Sequence, residues 1–151
     1  MVYDPEYENE HKRRVTIRYE IIDDRAKIPT RAHDDDACYD IYTIEEYTLY
    51  PGNFHAFRTG LKMQVEKGYY IDIRPRSGLA VNHGITVLNA PGTIDSNYGD
   101  EVKVILINHG SKSHIFQPGN RIAQLTVHPV AEILFTLDEI YGRSGFGSSG
   151  I

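Results

Sequence analysis

Five short stretches of this chain carry the residue types that handle anionic oxygens: ACYDIY around Asp40, RPRSGLA around Arg76, APGTIDSNYGDEV around Asp95, PGNRIAQL around Gln124, and YGRSGFGSSGI from Tyr141 to Ile151. The last holds four glycines and three serines beside Arg143 and Phe146. Glycine lets backbone N–H groups turn toward a ligand, while serine and arginine add donors. A phosphate loop of the Walker type leads into a helix whose N-terminus faces the phosphates, and no helix is expected after this stretch. A solvated tail is its ordinary reading. Phe146 points elsewhere, because a large ring flanked by glycines suits a flap that closes over a ligand. The other stretches have ordinary readings too: an Asp in a turn caps backbone, and a Gln on a strand commonly faces water.

Strands are the elements that must position these residues. Val15, Ile17, Tyr19 and Ile21 alternate in VTIRYEII, as do Tyr69, Ile71 and Ile73 in GYYIDIRP. EVKVILIN and RIAQLTVHPV add β-rich runs, and PGN at 51 and 118, EKG at 66, PG at 91 and HGS at 109 mark turns. SGLAVNHG from Ser77 suits one short helix. Roughly eight to ten short strands are expected, which fits a sandwich or barrel and not an alternating α/β fold. The VILI run from Val104, apolar on both sides, suggests cover by a second subunit.

The 151 residues suit one domain over 15–140, with an extension at 1–14 and a Gly/Ser-rich lid at 141–151. A net charge of −5, with one basic cluster at His11–Arg14, disfavours nucleic acid as a partner. No membrane-spanning run or secretory signal is visible, so a cytoplasmic protein, or an intracellular phage or viral one, is expected. Cys38 is the single cysteine, which excludes an internal disulfide, and the seven histidines lack the i, i+4 pairing of a helical metal site. Asp34, Asp35 and Asp36 read as a solvated loop and not as a chelating set.

Taken in order, the five stretches resemble the five motifs of the trimeric dUTPases, and the resemblance runs from about Val15 to the end of the chain. It implies an all-β jelly-roll-like subunit and a homotrimer in which each site draws on three chains. The first, second and fourth motifs would come from one subunit, the third from another, and a mobile C-terminal tail from the last. The implied reaction is hydrolysis of dUTP to dUMP and pyrophosphate, with Mg2+ on the phosphates and Asp40 contacting the ion through water. Asp95 is the implied base that activates water for attack on the α-phosphorus. Arg76, Ser77 and Gly78 would hold phosphate oxygens and Gln124 a phosphate or the water network, joined by Arg143, Phe146, Gly147 and Ser148 of the tail. Uracil would lie in the hairpin from Asn89 to Lys103, read by the Asn89 side chain and backbone groups at Thr93 and Ile94. Tyr98 would pack under the deoxyribose where a 2'-hydroxyl would clash.

The chain departs from the family pattern in places. Gly99-Asp100 stands where Arg-Gly often follows the tyrosine, Asn120 where Asp is usual, and Cys38 where glycine is usual. The tail arginine usually lies five residues before the phenylalanine, a position held here by Tyr141. Two other readings share the fold: a dCTP deaminase or its bifunctional form, whose glutamate-centred relay is not seen in GTIDSNY, and a dUTP-sensing trimer that grips a regulatory protein partner.

Overall fold

The computed structural model describes residues 14–142. Ten strands and one helix follow in order: β1 Ile17–Ile21, β2 Tyr39–Tyr42, β3 Tyr47–Leu49, β4 Phe54–Val65, β5 Tyr69–Arg74, α1 Ser77–His83, β6 Ile85–Val87, β7 Gly92–Ile94, β8 Glu101–Asn108, β9 His114–Phe116 and β10 Arg121–Pro129. The strands form two four-stranded sheets, β1-β4-β8-β6 and β2-β10-β5-β7, with β3 and β9 as a separate pair. Every pairing is antiparallel.

Alternation decides which faces meet. In β8, Val102, Val104 and Leu106 are buried while Lys103 is exposed and Ile105 and Ile107 are half-buried. In β5 and β10, Ile71, Ile73, Ala123 and Leu125 point into the same core, which holds Phe57, Phe116 and Ile122 fully buried. Burial of such large side chains, at roughly 1.5–3 kcal/mol each, is the main favourable term. The outward face of β5 and β10 is consequently free to carry polar groups.

Two local features differ from the sequence pattern. One strand, β4, runs to 12 residues. A register shift between Arg58 and Lys62 lets it bend, around Gly60 at φ +72°, where a Cβ would meet Ala26 at 2.9 Å and Asp23 at 3.0 Å. The Glu101 carboxylate accepts the Gly60 N–H at 2.9 Å and Arg58 Nε at 3.0 Å, fixing the bulge. Gly92 opens β7 instead of ending a turn, and it is buried opposite Ile73. A Cβ there would stand 3.3 Å from that of Ile73, so the missing side chain lets the strands close.

Apolar side chains stay uncovered in one chain. Tyr19 and Ile21 on β1 are about half exposed. From Val130 to Gly142 there is no strand or helix, and Ile133, Leu134, Phe135, Leu137 and Ile140 are exposed.

Candidate active site

Asp40 is the centre of the first polar cluster. Its backbone is fixed on one side by the bridge to Thr30, with Asp40 N–H to Thr30 O at 2.7 Å, and on the other by pairing opposite Gln124. Asp40 is 7% exposed, and its carboxylate accepts from three side chains, each at 3.3 Å: Arg76 Nε and Gln124 Nε2 on Oδ1, and Arg121 Nη1 on Oδ2. Arg76 also donates from Nη1 to the carbonyl of Arg121 at 3.3 Å. Two residues of β10 and the residue preceding α1 thus converge on one carboxylate of β2, and a buried charge is tolerated because donors surround it.

Pro75 ends β5, and Arg76, still extended, leads into α1, so that Ser77 and Gly78 are exposed at its start. The far end of α1 is pinned by Gly84 in the left-handed region at φ +67°, whose N–H donates to Ala80 O. Gly110 packs so tightly there that a Cβ would fall 2.2 Å from the carbonyl oxygen of His83.

The second cluster is a cavity of about 150 Å3 in the hairpin that follows β6. Asn89, Thr93, Ile94, Tyr98 and Lys103 line it over a floor that includes Val87. Tyr98 is locked in place: its hydroxyl donates to Glu101 O at 3.1 Å, its N–H to Asp95 O at 3.1 Å, and its carbonyl accepts Gln64 Nε2 at 3.1 Å. Asp95 follows β7 directly and is exposed, one residue past the cavity wall at Ile94. A larger groove of about 420 Å3, lined by Val15, Ile17, Tyr19, Met63, Leu125 and Val127 among others, is mostly apolar and lacks the groups this chemistry requires.

The structure therefore gathers Asp40, Arg76 and Gln124 at one place and Asn89, Thr93, Ile94, Tyr98 and Lys103 at another. Arg143, Phe146, Gly147 and Ser148 lie outside the described residues. Among the described residues no group of three or more His, Cys, Asp or Glu side chains could hold a metal ion. Asp34 and Asp35 are exposed, while Asp36 Oδ2 accepts the His33 N–H at 2.9 Å and closes the loop locally.

Arg121 was not singled out by the sequence. Period-two reading puts residues 121 and 124 on opposite faces of a strand. A register shift between Arg121 and Ala123 places Arg121 opposite Tyr42, on the Asp40 side. The PGN turn just before it is the sequence signal for irregular pairing there.

A sequence profile of the dUTPase family matches residues 24–151. The chain belongs to the dUTPase family. Among its relatives, the deoxyuridine 5'-triphosphate nucleotidohydrolase of Clostridium novyi is 44% identical over 133 residues, covering 85% of this chain and 94% of the relative. That of Clostridium tetani is 39% identical over 140 residues, covering 89% and 97%. The solved dUTPase from phage phi11 of S. aureus, described with a structural Mg(II) ion, superposes with a TM-score of 0.76 at 20% identity, over 83% of this chain and 98% of that one. At that identity the likeness shows the fold, and the all-β jelly-roll-like expectation for this dUTPase-family chain is borne out. No helix among the described residues is long and apolar enough to cross a membrane.

Proposed function

We propose that this chain is a cytoplasmic dUTP diphosphatase that cleaves dUTP to dUMP and pyrophosphate, working as a homotrimer. The observation that carries the reading is the small cavity in the hairpin, whose wall at Ile94 is followed directly by Asp95. It has room for one pyrimidine ring. Backbone groups at Thr93 and Ile94 in its β7 wall would read the N3–H and carbonyl edge of uracil; cytosine would set an amino group against a donor, and thymine would need space for a methyl.

Asp95 takes a proton from water as it attacks the α-phosphorus. Ser77, Gly78, Arg76 and Gln124 hold the phosphate oxygens, and Tyr98, fixed by Glu101 and Gln64, closes the sugar side. Mg2+ fits the donor set. It retains most of its waters and takes few protein ligands, so it suits a site with no carboxylate cage. Asp40 has its oxygens occupied by long side-chain contacts and can still accept from a metal-bound water, since a carboxylate offers about four lone-pair sites. When bound, the ion neutralises charge on the phosphates and on departing pyrophosphate.

Assembly is supported by two features of the single chain. Asp40 on β2 and Asp95 after β7 are three strand spacings apart, about 14 Å, which suits a site completed between subunits. The exposed apolar groups on β1 and from Ile133 to Ile140 are also more than a monomer commonly leaves in water.

The test is pyrophosphate release from each nucleotide with Mg2+. The expected kcat/KM for dUTP exceeds that for dCTP, dTTP and UTP by on the order of a hundredfold or more. Comparable rates on dTTP would overturn the reading.

A further inference from the structure

The sheet face that carries Asp40 and Gln124 also carries an ion group that the proposed chemistry leaves unused. Asp72, in β5, is 5% exposed. Arg74 Nη2 donates to Asp72 Oδ2 at 3.3 Å and to Nε2 of His128, on β10, at 3.0 Å. His128 Nε2 is also 3.6 Å from Asp72 Oδ2. Arg74 pairs opposite Gln124, which pairs opposite Asp40, so the three side chains stand in one row across the sheet. The Arg74 side chain is 46% exposed.

Arg76 and Arg121 share the charge of Asp40, and Arg74 lies on Asp72. A triphosphate is still anionic with Mg2+ bound, and a guanidinium matches two phosphate oxygens at once. Arg74 is the next cation in the row, one strand spacing of about 4.8 Å from Gln124, well within the reach of an arginine side chain.

We propose that Arg74 is a further phosphate-binding residue of this site, held at rest by Asp72 and His128. The proposal rests on the dUTP reading. At rest the Arg74 guanidinium donates to Asp72 Oδ2 and to Nε2 of His128, and a triphosphate on this face offers oxygens that can replace those acceptors.

Steady-state pyrophosphate release on the full chain, with dUTP and Mg2+, tests this. Arg74→Gln is expected to raise KM roughly tenfold, the scale of one lost charge-assisted contact, with kcat within about twofold. Arg74→Lys keeps a cation over Asp72 and is expected to give a smaller rise in KM, so it carries the test if the Gln variant fails to fold. A wild type that releases no pyrophosphate from dUTP removes the underlying reading and this proposal with it. Turnover by the wild type with unchanged KM in both Arg74 variants overturns this proposal alone.

Discussion

Asp95 stands exposed just beyond a cavity wall, a position from which a carboxylate can hold water against a phosphorus above the rim. Asparagine keeps the shape and loses the basic oxygen. Asp95→Asn is therefore expected to lower kcat by roughly 10^2 to 10^4 while a non-hydrolysable dUTP analogue still binds, as calorimetry would show. Near-normal turnover would place the base elsewhere. A residue of a different kind is Gly110, whose N–H donates to Asn108 Oδ1 at 2.8 Å while Asn108 Nδ2 reaches Leu49 O at 3.0 Å and Lys112 O at 2.9 Å. With the His83 carbonyl 2.2 Å from the place a Cβ would occupy, backbone has to shift. Gly110→Ala is expected to cost about 1–3 kcal/mol in urea unfolding, and an unchanged midpoint would show that the loop yields freely.

At the scale of elements, the hairpin and α1 carry separate expectations. Tyr98 is held by bonds from both ends of its hairpin, so its ring is a fixed wall. Tyr98→Ala is expected to relax discrimination against UTP, and an unchanged dUTP:UTP ratio of kcat/KM would reduce the ring to packing. Helix α1 meets β9 through His83 and His114, with ring centroids 4.3 Å apart. Burial, and then His83, hold His114 below its ordinary value of 6.5. The folded state thus binds that proton less readily than the unfolded chain, so stability is complete above pH 6.5 and declines as pH falls below it. Melting of wild type and His114→Gln from pH 7.5 to 5.5 should show the wild type losing more, and parallel curves would count against it. Much of this was legible in the sequence, because period-two runs and turn residues locate strands wherever pairing is regular. Arg121 was not, nor was the length of β4, because both depend on register shifts that no local pattern records. The Arg74 group was hidden for a related reason: Asp72 and His128 are distant in sequence and meet only through the pairing of β5 with β10.

At the scale of the whole molecule, the question is which chain's tail serves which chain's Asp95. The segment after β10 carries exposed Ile133, Leu134, Phe135, Leu137 and Ile140, surface that assembly would cover, so a cut after Ile140 retains it while removing the lid sequence. Consider that truncated chain, which keeps Asp95, beside a full-length chain with Asp95→Asn; each is expected to be nearly inactive alone. If tails act in trans, a site needs the truncated chain at the position supplying Asp95 and the full-length chain at the position supplying the tail. In trimers re-formed at random from equal amounts, each condition is met half the time, so roughly a quarter of wild-type activity returns. If each tail closes over its own chain's Asp95, no combination contains both parts and pyrophosphate release stays at the parental background. Native mass spectrometry of the co-refolded mixture reports whether mixed trimers formed, and mixed trimers without recovered activity would exclude the trans arrangement.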